Sequence, residues 1–305
     1  MPLARSVLRS YISTNCCRAM SMTDAGRRPM DDEIDVFGLT HPGKVRKSNQ
    51  DHFLLCSLQK HIKLYHTSLP DASRLGSTDE RVAFISVVAD GVGGKAGGEE
   101  ASRFALEGIT QYVSEAIHLY YTSDPADDAV FTTMLTESAL KVHNEIAARS
   151  SESSAMRGMA TTLTLWLGVW PRAYRLQVGD SRCYSLRDGK LTQMSRDQTM
   201  AQDFLDQGIF TRDDPAHARL SHILSSAIGG PEAAPIVRRF DQNWNNVGLL
   251  CSDGLTRHVS DERIRERLMT MTSARQACEA LLQDALDGGG EDNITVVVGR
   301  SIPKR

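Results

Sequence analysis

The chain has 305 residues, of which 41% are hydrophobic and 24% are charged, and its formal net charge is −3. This composition is that of an ordinary globular protein and excludes an intrinsically disordered chain. The slight acidic excess argues against nucleic-acid binding, because contact with a phosphate backbone requires clustered Lys and Arg. We expect one large domain, since folds with large sheets often reach this length as a single unit.

The six cysteines are scattered, without a Cys-X-X-Cys pair and without histidines at zinc-binding spacing. We interpret them as reduced residues, which indicates a reducing compartment. No apolar run approaches the roughly 18 to 20 residues that are needed to cross a bilayer. We therefore expect a soluble, cytoplasmic protein that does not bind membranes.

The first 22 residues contain three arginines and no acidic residue. This composition is typical of an organellar presequence, which would direct the protein to an organellar matrix. The alternatives are an unstructured tail, or translation that starts at Met20 or Met22. We divide the chain into a flexible N-terminal extension, residues 1–32, and a folded domain, residues 33–300.

The first part of the domain contains three predicted strands. They are apolar-rich runs bounded by turn residues, and the third stops at Asp90-Gly91, as expected for a strand buried on both faces. The polar segment 59–79 between the second and third runs predicts an inserted loop. The three strands are Ile34 to Leu39, Asp51 to Leu58 and Phe84 to Ala89.

Two amphipathic helices are predicted between Gly98 and about Ser150, where apolar residues recur every three or four positions. Asp124-Pro125 separates them. Four strand patterns follow, and Asp188-Gly189 predicts a hairpin between the last two. These strands are Thr161 to Val169, Tyr174 to Val178, Cys183 to Leu186 and Leu191 to Met194.

The remaining segment begins with residues that show no clean periodicity, from Met200 to Pro235. A buried strand, two helices and a closing strand follow this segment. The order of elements predicts an α+β fold, in which a β-sandwich of two antiparallel sheets is flanked by pairs of helices in a four-layer αββα arrangement. The last elements are Val247 to Cys251, Ser260 to Met271, Ala274 to Leu286 and Asn293 to Gly299.

Three aspartates share one kind of position. Asp90 and Asp253 each follow a buried apolar strand and precede a glycine, and Asp292 precedes the closing strand. Where strand ends converge, neighbouring carboxylates repel one another by roughly 4 kcal/mol per close pair at an effective dielectric constant near 20. A divalent cation stabilises such a cluster, and oxygen ligands favour Mg²⁺ or Mn²⁺ over Zn²⁺. The alternative is that each Asp-Gly pair marks an ordinary turn.

Six short motifs extend this pattern over most of the chain, from about Ile34 to Val298. In their order and spacing they resemble the metal-dependent protein phosphatases (PPM), the type 2C serine/threonine phosphatases, in their bacterial form. The motifs are Arg46-Lys47-Ser48-Asn49-Gln50-Asp51, Val88-Ala89-Asp90-Gly91-Val92-Gly93-Gly94, Gly158-Met159-Ala160-Thr161-Thr162-Leu163, Val178-Gly179-Asp180-Ser181-Arg182, Ser252-Asp253-Gly254-Leu255 and Glu291-Asp292-Asn293-Ile294-Thr295.

The resemblance implies two tightly bound Mn²⁺ or Mg²⁺ ions. Asp90 would bridge them, the Gly91 carbonyl would bind one of them, and Asp253 and Asp292 would complete the first site. Asp180, together with Asp253, would hold a weaker third ion; the alternative for Asp180 is a residue that caps a hairpin turn.

Asp51 matches a carboxylate near the second metal that acts through water, and its alternative is a solvated residue at a strand start. The resemblance also implies that Arg46 is the phosphate-binding arginine. The chemistry is consistent with this role, since a guanidinium group can bind two phosphoryl oxygens at once. Without the motif, Arg46 would be a solvated basic residue. Asn293 would orient water or phosphate, or only cap the strand.

The implied reaction is hydrolysis of phosphoserine and phosphothreonine in proteins by direct attack of a metal-bridging hydroxide. Val92 stands where eukaryotic members often carry a histidine that protonates the leaving group, so the identity of the general acid stays open. Gln50 likewise replaces a metal-binding glutamate of eukaryotic members. His217 and His222 lie in segment 198–233, which corresponds to the mobile flap of the family. Either could contact substrate, although a surface or core role is the more common one for a histidine.

The expected partners are phosphoprotein substrates of a serine/threonine kinase, in signalling, and we expect a monomer. One alternative is a metal-dependent hydrolase of small phosphate esters. The other is a degenerate phosphatase fold that acts as a binding module, which the complete set of Asp90, Asp253 and Asp292 argues against.

Overall fold

The computed structural model describes residues 27–60, 80–93, 97–120, 128–152 and 156–304. The strands within these ranges are β1 (Ile34–His41), β2 (Asp51–Lys60), β3 (Glu80–Val92), β4 (Ala160–Thr161), β5 (Leu163–Val169), β6 (Arg172–Val178), β7 (Arg182–Arg187), β8 (Lys190–Gln193), β9 (Ile236–Asp241), β10 (Val247–Cys251) and β11 (Ile294–Ser301). The α-helices are α1 (Gly97–Tyr120), α2 (Asp128–Glu152), α3 (Met200–Asp206), α4 (Pro215–Leu220), α5 (Asp253–Thr256), α6 (Asp261–Met269) and α7 (Ala274–Asp287).

The strands form two antiparallel sheets. The first has the order β1-β11-β10-β7-β8, and the second has the order β2-β3-β5-β6-β9, with β4 paired to β3. Helices α6 and α7 pack on the first sheet, and α1 and α2 pack on the second. The predicted α+β fold with a β-sandwich between helix layers is therefore confirmed.

Each helix layer has its own apolar core, and this follows from sequence periodicity. On α1 the side chains of Ile109, Val113 and Ile117, spaced four residues apart, are all buried against the second sheet. Between the two sheets the buried apolar cluster is smaller and includes Val88 and Leu250. Alternating residues of the central strands thus face a helix layer on one side and the opposite sheet on the other.

Strand β9 is missing from the sequence prediction, although it closes one edge of the second sheet. Among the described strands it pairs with β6 alone, and of its six residues only Val237 is buried. Helices α3 and α4 are likewise missing from the sequence prediction, and they are short, with seven and six residues. Short elements with few buried residues carry too little periodicity to be recognised.

Residues 27–32, which belong to the predicted extension, contact the domain. The guanidinium group of Arg27 donates two hydrogen bonds of 2.7 Å to the carboxylate of Glu33, whose pKa these bonds lower to about 2. The backbone N–H of Lys304 also donates to Glu33. The two ends of the described domain are therefore joined at one buried carboxylate.

Several sequence predictions lie outside the described residues. These are Asp124-Pro125, residues 61–79 of the predicted inserted loop, and the proposed presequence. None of the helices in the described ranges is long and apolar enough to cross a bilayer.

Candidate active site and metal centre

The predicted acidic residues lie at one end of the sandwich, where both sheets contribute strand ends. In the second sheet, Asp51 on β2 lies directly opposite Asp90 on β3. In the first sheet, Asp253 follows β10 and Asp292 precedes β11, and these two strands are neighbours. Asp180 lies in the turn that joins β6 of the second sheet to β7 of the first. The antiparallel topology therefore gathers carboxylates from distant parts of the chain.

The glycines that follow Asp90 and Asp253 are required by close backbone contacts. A Cβ atom at Gly254 would lie 1.9 Å from the carbonyl oxygen of Asn293, and one at Gly91 would lie 2.1 Å from the carbonyl oxygen of Gly98. Real Cβ atoms do not approach so closely, so only glycine fits at either position. Gly254 thus lets the segment of Asp253 pack directly on the segment of Asp292, which an ordinary exposed turn would not need.

Hydroxyl side chains hold the strand ends around the carboxylates. The Thr162 hydroxyl accepts a hydrogen bond of 2.9 Å from the backbone N–H of Asp90, and the Thr161 hydroxyl donates to the Asp90 carbonyl at 2.8 Å. On the other sheet, the Thr295 hydroxyl donates to Oδ2 of Asp51 at 2.8 Å. All three threonines occur in the sequence motifs, but their roles require the tertiary contacts.

The carboxylates are an unfavourable cluster in electrostatic terms. Burial, together with the negative charges of Asp253 and Asp292, raises the pKa of Asp51 to about 7. Burial and the neighbouring carboxylates also raise the pKa of Asp90, and burial is the first cause of the raised pKa of Asp180 and of Asp253. Ionisation of these groups at neutral pH therefore costs folding free energy unless positive charge compensates it.

Two carboxylate oxygens of this cluster have no hydrogen-bond partner among the described residues. They are Oδ1 of Asp51 and Oδ1 of Asp253, and both are shielded from solvent. Buried polar atoms are normally hydrogen-bonded, so an unpartnered carboxylate oxygen indicates space for a ligand. A cation is a ligand that both oxygens could coordinate.

Arg257, which sequence reasoning missed, forms ion pairs with two of the predicted metal ligands. Its guanidinium group donates to Oδ2 of Asp253 and, at 3.0 Å, to Oδ2 of Asp292. Arg46 donates to the same oxygen of Asp292 at 2.8 Å. The available signal was spacing, because a residue four positions after Asp253 at a helix start faces the same side.

Within the described residues, no three His, Cys, Asp or Glu side chains already converge in a way that could hold a metal ion. The guanidinium groups of Arg46 and Arg257 instead contact carboxylate oxygens at this site. The donor set nevertheless fits a hard divalent cation, since it offers carboxylate oxygens, two of them unpartnered, and an excess of negative charge.

Asn293 is buried, and its amide is fully engaged with the chain segment that carries Arg46. Its Nδ2 group donates to the carbonyl oxygens of Pro42 and Ser48, and its Oδ1 accepts from the backbone N–H of Gln50. The structure therefore assigns Asn293 to positioning this loop. Its contact with phosphate stays a prediction.

His217 and His222 line a pocket of about 500 Å³ that also includes Asp180 and Asp253. The structure thus brings both histidines to the neighbourhood of the carboxylates. Val92, at the position of the missing histidine, is an apolar residue that is 43% exposed and offers no proton.

Comparisons with known proteins identify the family of this chain. The family model described as Protein phosphatase 2C matches residues 66–287. The chain belongs to the protein phosphatase 2C family. It is 35% identical to the serine/threonine protein phosphatase PstP of Mycobacterium tuberculosis over 217 residues. These matched residues are 71% of this chain and 40% of PstP. The match thus spans less than half of the length of PstP.

One further relative and one solved structure give the same family. The serine/threonine phosphatase stp of Listeria monocytogenes is 30% identical over 217 residues, or 70% of this chain and 83% of that protein. A crystal structure of the PstP catalytic domain in complex with two manganese ions superposes with a TM-score of 0.65 at 30% identity, covering 88% of this chain and 99% of that one. The predicted family is confirmed, and these relatives carry the name of the predicted enzyme class.

Proposed function

We propose that this chain hydrolyses phosphoserine and phosphothreonine in proteins, with Mn²⁺ or Mg²⁺ bound at the carboxylates that the two sheets bring together. The observation that carries the proposal is the convergence of five aspartates, of which Asp51 and Asp253 each have an unpartnered buried oxygen. Burial and neighbouring carboxylates raise the pKa of four of them, and the five are Asp51, Asp90, Asp180, Asp253 and Asp292. The manganese ions in the PstP structure support the same metal requirement here.

The residues that would hold the cations follow the family pattern. Asp90 would bridge two ions, the Gly91 carbonyl would bind one, and Asp253 and Asp292 would complete the first site. When bound, the two cations supply Lewis acidity and lower the pKa of a shared water toward about 7, which makes hydroxide available for direct attack on phosphorus.

Two further aspartates would act at the margin of this pair. Asp180 would hold a weaker third ion together with Asp253, and its burial, at 9% exposure, argues against an exposed turn cap. Asp51 would act through water on the second ion. Its buried position opposite Asp90 argues against a solvated strand-start residue.

Arg46 would bind the phosphoryl group of the substrate. Its side chain is 54% exposed, so substrate can reach it, and its present partner Asp292 lies in the site. A guanidinium group donates two parallel hydrogen bonds to phosphoryl oxygens and so neutralises charge in the transition state. Arg257 can contribute a second guanidinium group from the same carboxylate cluster.

Among the described residues, no cysteine is suited to act as the nucleophile. Burial raises the pKa of the Cys183 thiol to about 12, and burial also raises the pKa of the Cys56, Cys251 and Cys278 thiols. A thiolate is the reactive form, so these residues are poor nucleophiles at neutral pH. Direct attack by water is therefore the pathway that the described residues favour.

The substrates would be phosphoproteins made by a serine/threonine kinase, which places the protein in signalling. The monomeric state and the cytoplasmic location stay predictions. The test measures release of phosphate from phosphoserine and phosphothreonine peptides with Mn²⁺, and again after chelation. We expect hydrolysis that needs the metal; full activity in buffer shown by elemental analysis to be metal-free would contradict the mechanism.

A further inference from the structure

A pocket of about 500 Å³ joins the candidate active site to the segment 198–233, which we call the flap. Three of its lining residues belong to the site: Asp180, Asp253 and Arg257. The flap contributes Arg212 and His217 to another part of the lining. A group bound in this pocket would therefore lie beside the phosphoryl group that is hydrolysed.

Most charged side chains that line the pocket are already paired. Asp197 accepts hydrogen bonds from Arg182, with the shortest at 2.7 Å, and Asp261 accepts from the Tyr184 hydroxyl at 3.0 Å. Arg196 donates to two aspartates of α3 at 2.6 and 2.7 Å. These pairs are structural and leave little charge for a ligand.

Three lining side chains that can carry positive charge have no such partner. In the part of the chain that the structure describes, Arg212, His217 and His222 make no side-chain hydrogen bond and no ion pair. Asp180 and Asp253 are the carboxylates of the pocket assigned to the metal ions, and Asp253 also pairs with Arg257. With metal bound, the charges of Asp180 and Asp253 are compensated, and Arg212, His217 and His222 remain as donors for an anion.

The flap residues are held in position. The two ends of the flap are joined by hydrogen bonds from the Met200 N–H to the Ile223 carbonyl at 2.8 Å and from the Ser225 N–H to the Gln198 carbonyl at 3.0 Å. The His217 ring packs edge-to-face on Phe210 with 6.1 Å between centroids. The flap backbone is thus tied by hydrogen bonds and the His217 ring is packed, which lowers the entropy cost of binding an anion at His217.

We propose that this pocket binds a second anionic group of the same polypeptide substrate, a phosphate or a carboxylate near the phosphorylated residue. Arg212, His217 and His222 supply the donors, and Arg257 marks the boundary with the phosphoryl site. This inference rests on the proposed function and specifies its substrate class as multiply phosphorylated or acidic segments.

The test uses the full chain and peptides that share one phosphothreonine. One series carries only neutral neighbours, a second carries an additional phosphoserine at one to five positions away on either side, and a third carries aspartate at the same positions. Affinities are measured by fluorescence anisotropy with Mn²⁺ on peptides that carry a non-hydrolysable phosphothreonine analogue, and kcat/KM is measured with Mn²⁺ on the hydrolysable peptides. The second and third series separate phosphate from carboxylate as the anion that the pocket takes.

We expect at least one doubly phosphorylated or acidic peptide to be preferred over the neutral peptide by about tenfold, the effect of one charge-assisted hydrogen bond. Arg212→Gln and the double variant His217→Gln/His222→Gln should bring this ratio toward one. The matched control is Arg219→Gln, which lies on the same helix as His217 but outside the pocket lining and should keep the ratio.

Equal affinity and equal kcat/KM for all peptides would overturn the inference, and so would a ratio that falls as much in Arg219→Gln as in the pocket variants. Failure of the proposed function gives a different result. In that case no peptide loses phosphate with Mn²⁺, while the affinity ratio for the non-hydrolysable peptides still tests the pocket.

Discussion

Two clusters of acidic residues and arginine in this molecule have different charge balances. Between α6 and α7, Asp284 accepts hydrogen bonds from both Arg263 and Arg267 at 2.7 to 3.1 Å, and these bonds lower its pKa to about 2. At the sandwich end, five buried or half-buried aspartates share Arg46 and Arg257, and the pKa values of Asp51 and Asp90 are raised.

The difference shows how a structural ion pair is distinguished from a ligand site. At Asp284 the two arginines balance Asp284 and Glu266, so the ionised form of Asp284 stabilises the fold. At the sandwich end the negative charge exceeds the positive charge, so the ionised form of the cluster needs added cations to be stable. The ratio of charges, rather than the presence of ion pairs, thus separates the two regions.

The largest effect is expected for Asp253→Asn. A neutral amide donates little charge to a hard cation, so turnover of phosphopeptides should fall by about 10³-fold or more and Mn²⁺ should bind more weakly. Steady-state kinetics and calorimetric Mn²⁺ titration measure the two effects. In chelator the variant should melt no lower than the wild type, because one buried like charge is removed; near-normal turnover would exclude Asp253 as a ligand.

Asp180→Ala should slow catalysis by about 10²-fold while the tight metal pair stays bound. The reason is that a third ion would supply the polarised water that protonates the leaving alkoxide, in place of the missing histidine. Metal titration, melting temperature and kcat are measured on one preparation. A normal kcat with a stability loss of about 1 kcal/mol would instead identify a turn cap.

Arg46→Lys should lower kcat/KM for phosphopeptides by about tenfold, with metal binding retained, since the point charge survives but the two parallel hydrogen bonds do not. Phosphopeptide kinetics together with Mn²⁺ titration test this. An unchanged kcat/KM would show that Arg46 is only a surface charge.

Asp284→Asn is the counterpart in the other cluster and should leave turnover and Mn²⁺ affinity unchanged. It should destabilise the protein by about 1 kcal/mol at pH 7, the upper end for a partly exposed ion pair. Because the folded pKa is depressed from 3.8 to about 2, this contribution is complete above pH 4 and is lost as the pH falls toward 2. Denaturant unfolding at both pH values measures it; an equal difference at pH 7 and pH 2 would argue against a charge effect.

Much of the fold was predictable from local pattern. The four-residue spacing of Ile109, Val113 and Ile117 identified α1, because one face of a helix must be apolar to pack on a sheet. Strands buried on both faces, such as β10, were recognisable as short apolar runs. In contrast, β9 has a single buried residue, so its position was decided by pairing with β6.

The sequence by itself determined which residues are candidates for the site, because Asp90, Asp253 and Asp292 stand at strand ends within recognisable motifs. Only the tertiary structure decided how they are used. The ion pair of Arg257 with Asp292 and the hydrogen bonds of Asn293 join segments that are far apart in the chain. The fold also places Arg212 in the same pocket as Asp180 and Asp253. Charge balance depends on distances in space, and local sequence does not contain those distances.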